Sequence, residues 1–108
     1  MNKLLIMVSL LLSFTSQAAY NANMRGEIQG VYVYTDADHI YILLKNQPTS
    51  HPACNPNYFV IPATVPHERR QMLLSRLLTA FATKEAVNIG YDATGGCANS
   101  YIQVHRVG

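Results

Sequence analysis

The apolar residues of this chain repeat with period two, switch once to the period of a helix, and then switch back; nothing else in the sequence restricts the fold as much. From Gly26 to Thr35, Val31 and Val33 fall on one face of an extended chain, and Ile28, Gly30, Tyr32 and Tyr34 on the other, the pattern of a strand. Asp36-Ala37-Asp38 supplies turn chemistry, and His39 to Lys45 alternates again with Ile40, Ile42 and Leu44 inward, so the two runs make a β-hairpin. Gly30 has no side chain to pack inside its strand and marks a bulge or bend of the kind that curls a sheet. Asn46 to Asn57 contains Pro48, Pro52 and Pro56 and reads as an ordered loop, because proline cannot donate to a sheet ladder. Tyr58 to Ile61 is a short third strand, stopped by Pro62.

The helical period runs from Val65 to Thr83. Leu73, Leu74, Leu77, Leu78 and Phe81 form one apolar stripe, Thr64 is the expected N-cap and Pro66 fits the first turn. Alternation resumes at Val87, Ile89 and Tyr91, and again at Ile102 and Val104 after a loop rich in Gly and Asn. The order β-β-β-α-β-β predicts a mainly β fold with one helix. It suits a five-stranded barrel of the oligonucleotide/oligosaccharide-binding (OB) type, its helix plugging one open end, with an open α+β sandwich as the alternative.

Ahead of this pattern, Lys3 precedes an apolar run from Leu4 to Leu12 that extends to Phe14 and meets Ser16-Gln17-Ala18. The run has about half the apolar length that a membrane span needs. It reads as a secretory signal peptide over residues 1–18, cut between Ala18 and Ala19, leaving 90 of the 108 residues as one domain, 19–108. No cysteine follows the cut, which argues against a lipid anchor. The expected destination is secreted or periplasmic, an oxidising setting in which the only two cysteines, Cys54 and Cys97, pair as a disulfide. A zinc site built on His51 and Cys54 is the weaker reading, because Cys97 has no close His partner and His39, His67 and His105 are scattered.

Residues 19–108 hold seven Lys and Arg against six carboxylates, and 20 Ser, Thr, Asn and Gln against those 13 charges. A nearly neutral surface dressed in uncharged hydrogen-bonding groups excludes a disordered chain and a strongly basic nucleic-acid binder. Enzyme signatures are missing: no nucleophile elbow, no Gly-rich loop opening a helix, and carboxylates such as Asp36, Asp38, Glu68 and Glu85 at turns and helix ends. Neither catalysis nor a cofactor or metal is expected. Arg69, Arg70 and Arg76 form a small basic cluster that reads as a solvated helix face. The four histidines read as exposed polar residues, save that His105 shares a face with Tyr101 and Gln103 that belongs either to solvent or to an interface. The candidate binding residues are Tyr32 and Tyr34 on the first strand and Tyr41 on the facing one, since tyrosine offers both a flat apolar ring and a hydroxyl.

A leader, the strands Gly26 to Thr35 and His39 to Lys45, a cysteine before Asn57 to Pro62, the leucine-rich helix, Val87 to Gly90, Cys97 and a terminal strand occur here in that order. In this pattern and in length the chain resembles the B subunits of subtilase-type and pertussis-like AB5 toxins. The resemblance implies a non-enzymatic OB-type barrel that recognises cell-surface glycans, self-associates into a ring and partners a toxin A subunit. Glycan pockets of that family use a Tyr and Ser cluster near the mature N-terminus. The corresponding stretch here, Tyr20 to Arg25, has no serine, so no individual pocket residue is carried over. The alternative function is a monomeric periplasmic protein that binds or inhibits another protein.

Overall fold

The hairpin expected from the first two alternating runs is present in the computed structural model, which describes residues 20–108; the leader read over residues 1–18 lies outside the described residues. Strand β1 (Ala22–Val33) pairs antiparallel with β2 (Ile40–Leu44), and β2 with β3 (Asn55–Ile61). Helix α1 (His67–Thr83) follows, then β4 (Ala86–Tyr91), the two-residue β5 (Cys97–Ala98) and β6 (Tyr101–Val107). The ladder runs β3-β2-β1-β4-β6, and a parallel pairing of β3 with β6 closes it into a five-stranded barrel. The fold is therefore mainly β with one helix and an OB-like barrel, and the closing pair excludes the open sandwich.

Gly30 does mark a bulge. Ile28 lies opposite Leu44 and Gly30 opposite Leu43, so one extra residue intervenes in β1 and the alternation changes phase there. Ile28 and Val31 consequently both pack on the core, while Tyr32 faces outward opposite Tyr41. Unbroken alternation puts Ile28 and Tyr32 on one face; the bulge corrects that expectation. A Cβ on Gly30 would collide with the Tyr32 ring, so the glycine is what lets that ring lie back along its own strand.

Strand β3 starts at Asn55, inside the stretch expected to be loop through Asn57. Its register against β6 slips between Asn55 and Phe59, and Pro56 sits in that slipped stretch, where its missing N–H interrupts no regular ladder. Inside the barrel Ile40, Ile42, Leu44, Phe59, Ile61, Val87, Ile89, Ile102 and Val104 meet Leu77 and Ala80 of α1.

Two expectations for the helix need correction. Pro66, not Thr64, is the N-cap residue, and it makes no side-chain capping bond. Thr64 instead belongs to the turn closed by the Val65 N–H donating to the Pro62 carbonyl at 3.1 Å. The stripe is also narrower than expected. Leu77 is fully buried and Leu73 and Leu74 half-buried, but Leu78 and Phe81 remain 48% and 42% exposed. A single helix across one end of a small barrel presents only its central line to the core, and these two residues lie on its flank. Lys84 ends the helix in a left-handed conformation (φ 60°), its N–H directed at the Ala80 and Phe81 carbonyls.

The expected disulfide is present. Cys54 and Cys97 are bonded with their Cα atoms 5.5 Å apart, joining the residue before β3 to β5.

Candidate functional site

Strands that bury one set of side chains turn the alternate set outward. Tyr41 has the opposite parity to Ile40 and Ile42, Tyr58 to Phe59 and Ile61, and Tyr101 to Ile102 and Val104. Because β1, β2, β3 and β6 are consecutive around the barrel, these outward tyrosines converge with Tyr32 and Tyr34. Tyr41 is the hub: its ring lies edge-to-face with Tyr34, Tyr58 and Tyr101 at centroid distances of 5.2, 5.7 and 5.7 Å. Tyr58 meets Tyr101 at 5.5 Å and Tyr32 at 5.8 Å. Edge-to-face pairs at such separations stabilise by about 0.5–1.5 kcal/mol each beyond the area they bury, so the five rings form a stiff surface.

The floor of this surface is apolar. Val60 and Ala98 are buried beneath Tyr41, Tyr58 and Tyr101, which makes a second apolar cluster outside the barrel proper. Asn99 donates to the Tyr41 hydroxyl at 2.6 Å, satisfying the one polar atom of a nearly buried ring. Tyr32 and Tyr34, at 39% and 55% exposure, are the rings offered to solvent. Beside Tyr58 opens a cleft of about 460 Å³ lined by Leu43, Gln47, Pro48, Thr49 and Asn57. No ionisable side chain lines that cleft apart from the Tyr58 phenol. Gln47 is fixed there, accepting from the Leu44 N–H at 3.1 Å and donating to the Pro56 carbonyl at 2.9 Å.

The disulfide supports the site, since Cys97 adjoins Ala98 and Cys54 precedes β3. His51 fastens the same loop. Its Nδ1 accepts from the Ala53 and Cys54 N–H groups at 3.1 and 3.0 Å, which leaves Nε2 to donate to the Asp92 carbonyl at 2.8 Å. His39 likewise accepts from the Ala63 N–H at 3.1 Å and lies 6.3 Å from the Tyr41 ring. Neither is the exposed polar residue that its place in the sequence suggests; both are half-buried ties between loops. His67 is exposed in the first turn of α1, and His105 stacks on Tyr20 at 6.0 Å.

The arginines do not make one surface. Arg70 donates to the Val65 and Asp38 carbonyls, and Arg76 pairs with Glu85 at 2.8 Å. Asp92 accepts from the Thr94 N–H and hydroxyl, the Gly95 N–H and Asn21, and these bonds, the Thr94 N–H foremost, hold its carboxyl below the usual range. Among the described residues no group of three or more His, Cys, Asp and Glu is placed to hold a metal, and no helix is long and apolar enough to cross a membrane.

All three tyrosines singled out from the sequence, Tyr32, Tyr34 and Tyr41, therefore fall in one patch. Sequence reasoning misses Tyr58 and Tyr101 as site residues, although their parity against Phe59 and Ile102 carries the signal. No family model matches the chain, and neither a curated protein nor a solved structure does.

Proposed function

We propose that this chain is an exported, non-catalytic binding module whose tyrosine face takes uncharged sugar rings. One observation carries the reading: five tyrosines form a continuous, pre-packed surface on the barrel side where β2 and β3 lie, with two of the rings open to solvent. In OB-type barrels that side is a common location for oligosaccharide and oligonucleotide sites. A sugar presents a flat patch of C–H bonds rimmed by hydroxyls. Tyrosine rings match the first, and the amide and hydroxyl groups of Gln47, Thr49 and Asn57 match the second. With no Lys or Arg lining the cleft, the chemistry favours a neutral glycan over a sialylated one or a nucleic acid. The disulfide supports an oxidising destination. The likeness to toxin B subunits rests on the order of elements in the sequence and on length.

A glycan array probed with the oxidised chain tests this directly. Retention of neutral oligosaccharides, abolished in Tyr32→Ala/Tyr34→Ala, is the expected result; an array with no retained glycan overturns the proposal.

A second reading, self-association, is favoured by the exposed Leu78 and Phe81 of α1 and by exposed Val33 at the end of β1. Light scattering coupled to size exclusion should then show an assembly larger than one chain, and a strict monomer at micromolar concentration removes the ring.

A further inference from the structure

We infer that Gly30 is a positioning residue of the sugar site: it lays the Tyr32 ring flat on the barrel, so that the outer face of the ring becomes the platform on which one pyranose stacks. The inference rests on the reading of the tyrosine face as a sugar-binding surface. It adds which ring is stacked upon, what holds that ring in place and which part of the sugar it meets.

Gly30 and Tyr32 lie two residues apart on the same side of β1, beyond the bulge. A Cβ on Gly30 would have the Tyr32 phenol oxygen and Cζ as its nearest neighbours and Cε2 next at 2.8 Å, and only a point over the face of the ring meets all three separations. The inner face of Tyr32 therefore covers the Gly30 backbone, and its 39% exposure falls to the opposite face and the rim. An alanine at position 30 has no room beneath the ring. The backbone itself accepts one, because Gly96 is the one glycine with positive φ among the described residues.

Tyr58 turns the platform into a corner. Its ring stands at 79° to Tyr32 with the centroids 5.8 Å apart, and it is also a wall of the neutral cleft. Leu43, directly across the ladder from Gly30, lines the same cleft. A pyranose laid C–H face down on Tyr32 has an aromatic wall at one edge, on the side where Gln47, Thr49 and Asn57 offer partners to the hydroxyls that radiate from its rim. Dispersion and desolvation against the flat ring supply the stacking, so the corner reads shape and not charge. A closed pyranose has the flat C–H face this requires; an open-chain polyol carries the hydroxyls without it.

The test uses the oxidised, isotope-labelled chain. Before any sugar is added, nuclear Overhauser contacts should join the Gly30 α protons to the Tyr32 ring, and to the ring of Phe in Tyr32→Phe. Lactose, maltotriose and cellotriose are then titrated and followed by amide shifts, with sorbitol as the open-chain control. At least one sugar should saturate and sorbitol should not. Gly30→Ala should weaken that sugar about tenfold with the folded spectrum kept, as Tyr32→Ala does, whereas Tyr32→Phe should stay within about threefold of wild type. Missing contacts between Gly30 and the Tyr32 ring, or wild-type affinity in Gly30→Ala, overturn the positioning role and leave the sugar reading standing. Sorbitol binding as tightly as the sugars overturns the stacking. No saturation by any of the three sugars up to about 50 mM overturns both the inference and the reading it rests on.

Discussion

Replacing Cys97 by alanine should destabilise the domain by about 4 kcal/mol in the chain-entropy treatment, with about 2–4 kcal/mol the typical outcome. The figure follows from the 43-residue separation of the bonded cysteines. Cys97 is the better of the two to change, because its side chain is exposed whereas Cys54 is buried in the core. Cys54 left in place still fills its site as a small apolar group. Against a net stability of about 5–15 kcal/mol for a domain of this kind, the loss is large and should lower Tm by roughly 10–30 °C. Urea unfolding separates cause from coincidence. If the crosslink acts by restricting the unfolded chain, its removal lengthens the unfolded ensemble, and the m-value should rise as the midpoint falls. Reduced wild-type protein should unfold like the variant. A loss below about 1 kcal/mol with an unchanged m-value refutes the argument, and two titratable thiols in exported protein refute the pairing itself.

Two other outcomes follow from the fold. Leu77→Ala should cost about 2–5 kcal/mol, since Leu77 is the large side chain by which α1 closes the barrel, whereas Phe81→Ser on the half-exposed flank should cost the monomer far less; chemical denaturation of the two variants measures the contrast. Stability should decline in acid. The Asp92 carboxyl is held low chiefly by the Thr94 N–H and Glu85 by its hydrogen bond from Arg76, so each contributes above its unfolded value, near pH 4, and that contribution disappears as the pH falls through the depressed folded value. Tm measured between about pH 6 and 2 should fall mainly below about pH 4, and less steeply in Asp92→Asn.

Much of this architecture is legible in the sequence because it depends on parity. Ile40, Ile42 and Leu44 have to share a face, and so do Ile102 and Val104. What parity cannot deliver is everything that changes its phase. The bulge at Gly30 moves Ile28 inward and Tyr32 outward, although the glycine itself signals that something happens there. Pro56 disguises the start of β3, because a proline is forbidden in a regular ladder but tolerated where the register slips. Leu78 and Phe81 belong to the helix stripe by spacing alone; how much of a stripe is covered depends on the width of the barrel end, which no local pattern contains. The site has the same division. Tyr32, Tyr34 and Tyr41 are visible as hairpin neighbours, but Tyr58 and Tyr101 join them only once β3 and β6 close the barrel.

The central claim is that the tyrosine face is a sugar-binding surface, and mapping a bound neutral oligosaccharide onto the chain tests it most directly. Saturation-transfer and ring-proton shift measurements on the oxidised protein should place the sugar on Tyr32, Tyr34 and Tyr58, and Tyr32→Ala/Tyr34→Ala should abolish the transfer while the folded spectrum persists. Neutral oligosaccharides that leave every tyrosine ring resonance unmoved, or that bind equally well to the double variant, would contradict the account.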